Sequence, residues 1–252
     1  MISLSGLIRI VTRTGDLVVA SLLTASTVLW ALTRRPSDRS GSVELVVLDT
    51  SYSWKQIEER ELHFAITARE CDGLFDHVTS IHPLVGADEE IDVDSAVSEH
   101  HLSDRHHFVE VSVSGGRPER GVTLSSVARS QRTLLGILRE AAAGGGVRIV
   151  RVGDPYYLGL LGWWLARLAN CPLVVRVNAN HDLLYETGGQ LAYPRLIRSR
   201  RLETMLAGFV LSRADLVLAP SEDNCAFAVN NGARNDLVHL SSYGSLLHPV
   251  HF

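Results

Sequence analysis

The sequence has few of the residues that cross-link small secreted proteins. It contains three cysteines among 252 residues, Cys71, Cys171 and Cys225, and none of them belongs to a C-x-x-C pair. This number and spacing favour reduced thiols in a cytoplasmic protein over a disulfide framework or a zinc site. Hydrophobic residues make up 46% of the chain and charged residues 21%, proportions that exclude a disordered or collagen-like protein.

An excess of basic residues is also lacking. The chain has 24 lysines and arginines against 28 aspartates and glutamates, so its formal net charge is −4. Because domains that bind duplex nucleic acid normally carry a basic excess, a nucleic-acid partner is disfavoured. The first predicted strand is not followed by a G-x-G-x-x-G motif, which argues against a nicotinamide-dependent dehydrogenase.

No uncharged run reaches the roughly 20 residues that span a bilayer core. An apolar run covers residues 17–32, with Arg34 and Arg35 shortly after it. A secretory signal is disfavoured because no small-residue cleavage site follows the run. A membrane anchor at the inner face of the membrane and a packed or interfacial helix both remain open. Residues 1–42 are interpreted as an N-terminal apolar helix and linker, and residues 43–252 as the globular domain.

Short apolar runs alternate with helical patterns from residue 43 onward. Strands are predicted at residues 43–48, 77–81, 108–113, 147–152, 173–178, 216–219 and 237–240. Helices are predicted at residues 54–69, 123–143, 155–169, 195–211 and 223–229, and a loop at residues 86–107. This alternation predicts an α/β fold, a doubly wound and mostly parallel Rossmann-like sheet with helices on both faces.

The loops at the carboxyl ends of the strands form the candidate site, because ligands of such sheets bind there. Four of these loops lie at residues 49–53, 153–156, 178–182 and 220–223. The third places His181 beside Asp182 after a very apolar strand. Clustered polar side chains of this kind suit a ligand that is rich in hydroxyl or phosphate groups.

Two further groups of residues attract attention. They are a histidine group, His100, His101, His106 and His107, and an arginine group, Arg195, Arg198, Arg200 and Arg201. The histidine group lacks the i, i+4 helical spacing of a metal site, so we predict a solvated loop and no metal site. The arginine group is interpreted as a solvated helix face rather than as a site for phosphate or an anionic membrane surface.

Several motifs between residues 148 and 244 follow a familiar order. They are Gly153-Asp154-Pro155 after one strand, Asn180-His181-Asp182 after the next, and the run SRADLVLAPS at residues 212–221. This part of the chain resembles the N-terminal half of family 4 retaining glycosyltransferases, which have two facing Rossmann-like domains (the GT-B fold). The first part of the chain resembles a bacterial subgroup of the same family, through residues 49–52, Arg69, residues 75–78 and His82-Pro83.

The resemblance implies transfer of a sugar, with retention at the anomeric carbon, from a nucleotide-sugar donor to a glycan, lipid or small-molecule acceptor. It implies that His181 bonds to the donor sugar or its leaving phosphate and that Asp182 positions His181. No metal and no cofactor besides the donor are expected, since helix N-termini and basic side chains can hold a diphosphate. The residues expected to bind substrate are Thr50, Ser51, Tyr52, Asp154, Tyr156, Asn180 and Ser221.

The sequence departs from the family pattern at two points. Many members have a Gly-Gly turn after the first strand, where this chain has residues 50–53, TSYS. The family's donor-binding domain is marked by an E-x7-E motif, and no two glutamates of this chain have that spacing. We therefore expect half of an enzyme, with a separate donor-binding domain as partner, and the activity of the lone chain stays open. A non-catalytic scaffold with the same fold and half of a nucleotide-sugar epimerase are the alternatives.

Overall fold

The computed structural model describes residues 43–85, 96–112, 124–143, 146–193, 197 and 199–241. Within these ranges no helix is long and apolar enough to cross a membrane. The N-terminal apolar helix and linker predicted for residues 1–42 lie outside the described residues.

The described chain alternates strands and helices. The strands are β1 (Glu44–Leu48), β2 (His77–Val85), β3 (Val97–His101), β4 (His106–Ser112), β5 (Val147–Val152), β6 (Leu173–Arg176), β7 (Leu216–Ala219) and β8 (Val238–Leu240). The α-helices are α1 (Trp54–Glu59), α2 (His63–Thr67), α3 (Leu124–Ala143), α4 (Tyr157–Ala169), α5 (His181–Gly188), α6 (Arg200–Leu211) and α7 (Glu222–Asn230). Two 3-10 helices lie at Ala68–Gly73 and Asn235–Leu237.

The strands form one eight-stranded sheet in the order β3-β4-β2-β1-β5-β6-β7-β8. Neighbouring strands are parallel except for β3, which pairs antiparallel with β4 at the edge. The strand order reverses at β1, because β2 lies on one side of it and β5 on the other. Ligands of doubly wound sheets bind beyond this switch point, at the carboxyl ends of the strands.

The two faces of the sheet carry different helices. Alternate residues of β1, β5, β6 and β7 pack against α3, α4, α6 and α7 on the first face. The main contributors are Val46, Leu48, Val150, Val152, Val175 and Val217 from the strands and Leu138, Leu161, Trp164, Val210 and Phe227 from the helices. On the second face, called the α1 face below, α1 and α2 pack on β4 through Ile57, Ile66 and Phe108. This arrangement confirms the predicted doubly wound α/β fold.

The loop predicted at residues 86–107 is wrong in its second half, where the structure has β3 and the first residues of β4. The histidines of this segment stack on each other across the strand pair and on a residue of α1. His101 stacks on His107 with ring centroids 4.8 Å apart, and His100 stacks on Trp54 at 4.2 Å. Such a cross-strand pair and the contact with α1 stabilise an edge strand that has no apolar alternation for a sequence pattern to detect.

Two helix predictions also need correction. The helix predicted at residues 54–69 is two short helices, because Glu61 adopts a φ of 53° between them. Helix α5 was not predicted at all. It has no buried residue and therefore no apolar stripe, and only its caps mark it, Asn180 at the start and Gly189, with a φ of 65°, at the end.

Gly162 lies where α4 touches the sheet, and we expect Gly162→Ala to destabilise the protein. A Cβ atom on Gly162 would lie 2.1 Å from Val152 Cγ1 and 3.3 Å from Leu173 Cδ1. Overpacking of a closed core costs about 1–3 kcal/mol. The free energy of unfolding, measured by urea denaturation, should fall by at least that amount.

Gly136→Ala in α3 is the matched control for this substitution. A Cβ atom on Gly136 meets nothing within 4 Å, and alanine is favoured over glycine in a helix by roughly 0.5–1 kcal/mol. This variant should therefore be at least as stable as the original protein. Equal losses of stability in both variants would contradict the packing described for Gly162.

Candidate functional site

The carboxyl ends of the central strands are tied together by hydrogen bonds. The Gly153 amide donates to Leu48 O at 2.8 Å, continuing the β1–β5 ladder. The Asn178 side chain donates to Gly153 O at 3.2 Å, and the Asn224 side chain donates to Val177 O at 3.3 Å. The loops after β1, β5 and β6 and helix α7 therefore form one continuous edge.

His181 is the first residue of α5 at this edge. Its helix is capped by Asn180, whose Oδ1 accepts from the Leu183 amide at 3.1 Å. The imidazole is half-buried and meets the Tyr156 ring edge-on, with centroids 5.2 Å apart. Burial and, to a smaller extent, the positive charge of the nearby Arg200 guanidinium together lower the pKa of His181 to about 4. The ring is therefore neutral at pH 7, with one N–H donor and one nitrogen acceptor.

Asp182 bonds away from His181. One carboxylate oxygen forms an ion pair with Arg200, and the other accepts from Asn231 Nδ2 at 2.7 Å. Asp182 was expected to position His181, but its observed contacts connect α5 to α6 and to the end of α7 instead. Arg200 influences His181 through its charge instead.

Arg200 belongs to a buried ion pair. Its Nη1 lies 3.2 Å from Glu203 Oε2, and the Glu203 side chain has no solvent exposure. The interpretation of Arg200 as part of a solvated face is therefore wrong, because a carboxylate one turn along the helix turns the guanidinium inward. Arg201 is exposed as expected, and Arg195 and Arg198 lie outside the described residues.

Hydrogen bonds connect Glu203 to the loop after α5, and that loop to the end of β5. Its Oε1 accepts from the amides of Ala192, at 2.8 Å, and Tyr193, at 3.3 Å. The Tyr193 hydroxyl in turn donates to Asp154 Oδ2. Tyr193 and Glu203 were not predicted as site residues, because nothing in their local sequence marks a pairing that spans α5, α6 and β5.

Asp154 is buried at the carboxyl end of β5. Its Oδ1 accepts from the Tyr156 amide at 2.7 Å. Burial raises the pKa of Asp154 to about 7, against the opposing effect of the hydrogen bond from Tyr193. The predicted site residues Asp154 and His181 therefore lie in one network, the first half-protonated near neutral pH and the second uncharged.

A family model described as a glycosyl transferase 4-like domain matches residues 86–244, more than half of the chain. The chain belongs to this domain family. The match confirms the resemblance to family 4 glycosyltransferases that the motifs indicated. No match was found among curated protein sequences.

Two solved structures are similar to this glycosyl transferase 4-like domain. Anabaena HepE in complex with UDP and glucose has a TM-score of 0.45 and 15% sequence identity, covering 80% of this chain and 44% of its own. The UDP-GlcNAc 2-epimerase from Methanocaldococcus jannaschii has a TM-score of 0.42 and 12% identity, covering 78% of this chain and 44% of its own. The domain thus spans less than half the length of either neighbour.

Asp154 of the glycosyl transferase 4-like domain should make stability depend on pH. Its folded pKa of about 7 exceeds the ordinary 3.8, so the folded chain binds more protons between these values. The contribution of Asp154 to stability therefore falls as the pH rises through this window. The original protein should therefore lose unfolding free energy between pH 5 and pH 7.5 through Asp154. Asp154→Asn removes this loss, so its change in unfolding free energy over the same interval should be more favourable by on the order of 1–3 kcal/mol.

Urea denaturation at the two pH values tests this prediction. His181 and His106, whose pKa values are lowered to about 4 by burial, give stability that increases with pH, and they do so equally in both proteins. The exposed Asp223→Asn variant serves as a control and should keep the original pH dependence. An Asp154→Asn curve parallel to that of the original protein would contradict the raised pKa.

Some of the predicted substrate-binding residues in the loop after β1 make contacts within the protein that stabilise the loop. Asp49 Oδ1 accepts from both the amide and the hydroxyl of Ser51, at 2.9 and 2.6 Å. Tyr52 packs against the apolar cluster under α1. Burial raises the pKa of the Tyr193 hydroxyl, and a hydrogen bond with Thr50 opposes this effect. Thr50 therefore joins the Asp154 network, whereas Ser51 and Tyr52 mainly shape the loop.

The remaining predicted residues divide between the network and the helix caps. Tyr156 is fully buried, so its ring supports His181 and is closed to stacking on a sugar in this structure. Asn180 Nδ2 donates to both oxygens of Asp223 at 3.1 Å, which brings α5 against α7. Ser221 caps α7 by accepting from the Asn224 amide at 3.2 Å.

Other features of the domain lie apart from this edge. A cavity of about 560 Å³, lined by Trp163, Asn170, Arg213 and Asp215 among others, opens at the amino ends of β6 and β7. It is at the opposite edge of the sheet from His181. Within the described part of the chain, no group of three or more His, Cys, Asp or Glu side chains is placed to hold a metal ion.

Proposed function

We propose that this domain is the acceptor-side half of a retaining glycosyltransferase that uses a nucleotide-sugar donor. The observation that carries the proposal is the neutral His181, held at the carboxyl edge of the sheet by a capped helix and by the ring of Tyr156. Its acceptor would be a glycan, a lipid or a small molecule bound along the loops after β1, β5 and β6.

A neutral imidazole suits the charge changes of glycosyl transfer. The sugar gains oxocarbenium-like positive charge as the bond to the leaving diphosphate breaks. A cationic side chain beside the ring would oppose that charge, whereas a neutral His181 donates a hydrogen bond without doing so. Fixed donors aimed at developing charge supply large parts of enzymatic rate enhancements.

The donor would be held mainly by a second domain. The leaving diphosphate needs fixed donors in a closed, water-poor cleft, and one Rossmann-like domain forms a single wall of it. The E-x7-E spacing that marks the donor-binding domain does not occur in these 252 residues. The second wall therefore belongs to a separate polypeptide region in this proposal.

The proposal predicts weak donor binding and no sugar transfer by the 252-residue chain alone. With one wall only, a nucleotide sugar stays hydrated, and its affinity should be about millimolar, or roughly −4 kcal/mol. Calorimetric titration with a panel of nucleotide sugars measures this affinity, and an assay for released nucleotide measures turnover. Addition of the donor-binding domain should restore both.

Three outcomes would contradict the proposal in different ways. Micromolar binding or turnover by the lone chain would refute the need for a second wall. Inversion at the anomeric carbon, seen by NMR of the product, would refute retention. Failure of the combined domains to transfer any sugar would favour the non-catalytic scaffold.

A further inference from the structure

The α1 face of the sheet carries apolar side chains on β5, β6 and β7. On each of these strands one set of residues, including Val150, Val175 and Val217, packs into the cluster of the first face. Because strand side chains alternate between faces, the residues between them project to the α1 face. The apolar ones are Ile149 of β5, Val174 of β6, and Leu216 and Leu218 of β7.

No apolar cluster formed by the described residues includes Val174, Leu216 or Leu218. Helices α3, α4, α6 and α7 pack on the first face, whereas α1 and α2 pack on β4, at the other end of the α1 face. Leu216 and Leu218 are half-buried. Since the strands of a parallel sheet are normally covered on both faces, the α1 face of β6 and β7 calls for one more apolar layer.

The chain enters the sheet close to these side chains. Val43, the residue before β1, packs against the same small cluster on the α1 face as Ile149 of β5. Neighbouring strands lie about 4.8 Å apart, so β7, three strands along from β1, is only about 14 Å away. Residues 33–42 can span roughly 33 Å when extended, and the apolar run at residues 17–32 can therefore reach any of these strands.

The sequence of this run has the pattern of a helix that is covered on one side. With 3.6 residues per turn, its large apolar residues fall on one side, namely Val18, Val19, Leu22, Leu23, Leu29 and Trp30. The opposite side has small or hydroxyl-bearing residues, Ala20, Thr24, Thr27 and Ala31. A helix surrounded by lipid is apolar all round and needs about 20 residues. As a helix this run would be about 24 Å long, enough to lie along strands of four to six residues.

We propose that residues 17–32 dock on the α1 face over β5, β6 and β7, with their large apolar side against Val174, Leu216 and Leu218. The run then belongs to the core of this domain and is not a membrane anchor. Ser26 lies on the docking side of the run, where its hydroxyl can accept from Arg151 or Arg176, which share the α1 face. This inference is independent of the proposed function, because it concerns the folded chain without substrate.

Maleimide labelling of a Leu218→Cys variant of the full chain, followed by peptide mass spectrometry, tests the proposal. Adding Leu22→Asp should accelerate labelling at position 218 by ~10-fold or more, because a charge buried in an apolar contact opens it. Adding Thr24→Asp instead places the same charge on the opposite side of the run and should leave the rate unchanged. The native Cys225 thiol, half-buried against the first face, should react equally in all these proteins and shows that the rest of the domain stays folded.

Equal labelling rates at position 218 with Leu22→Asp and with Thr24→Asp would overturn the proposal. Labelling that slows as the protein concentration rises would also overturn it, in favour of a second copy of the chain on this face. The original chain should stay at the bottom of a flotation gradient with phosphatidylglycerol–phosphatidylethanolamine vesicles, and flotation would show that the run binds lipid instead. If faster labelling of Cys225 shows that Leu22→Asp is unfolded, the milder Leu22→Ser takes its place, with Thr24→Ser as its control.

Discussion

Replacement of His181 with alanine is expected to lower turnover by ~10²-fold or more when this domain is assayed together with the donor-binding domain that the proposed function requires. Loss of one preorganised donor at a site of developing charge typically has an effect of this size. The imidazole is held in place before substrate arrives, by the Asn180 cap and by the ring of Tyr156. The loss should therefore appear mainly in kcat, because a preorganised donor acts most strongly in the transition state.

Two further variants define the role of His181. His181→Gln keeps a side-chain donor and should recover part of the lost turnover. His239→Ala removes an exposed histidine from β8 and should have no effect. Circular dichroism would show that all three variants are folded. Near-normal turnover of a folded His181→Ala protein would remove this residue from the mechanism.

The central part of the fold could be predicted because its strands are apolar and β-branched. Burial on both faces of a parallel sheet produces such runs, and β1, β5 and β7 were found within one residue of their ends. The prediction failed where stability comes from polar pairs. Edge strand β3 depends on stacked histidines, and exposed helix α5 depends on its caps.

The candidate site was predictable in position but not in its connections. The carboxyl ends of parallel strands must meet at one edge, so loops 153–156 and 178–182 could be placed together from the sequence. The ion pair of Asp182 with Arg200 and the hydrogen bond of Tyr193 with Asp154 join residues 18 and 39 positions apart. Such pairs form only when the helices pack on the sheet, so no local sequence pattern predicts them.

The two ion pairs of Arg200 predict that its loss will strongly destabilise the folded protein. Arg200 forms ion pairs with two carboxylates, those of the half-exposed Asp182 and the buried Glu203. Removal of one partner from a buried ion pair typically costs about 3–5 kcal/mol, because the remaining charge is left without compensation. We expect Arg200→Leu to lower the free energy of unfolding by about this amount at pH 8.

Urea denaturation of Arg200→Leu should also show a characteristic pH dependence. Burial already raises the pKa of Glu203, and Arg200 opposes this effect, so the variant's Glu203 becomes protonated more readily in the folded chain. The loss of stability should therefore be smaller at pH 5 than at pH 8. Arg201→Leu, the exposed neighbour on α6, should change stability by no more than about 0.5 kcal/mol at either pH.

A second measurement connects Arg200 to the proposed chemistry. The Arg200 charge lowers the pKa of His181, so an NMR titration of His181 in a folded Arg200→Leu protein should give a higher pKa. Adding Glu203→Gln should return part of the lost stability, because it removes the carboxylate that Arg200 had compensated. An unchanged His181 pKa, with full stability in Arg200→Leu, would show that Arg200 neither holds the α5–α6 junction together nor contributes to the lowered pKa of the imidazole.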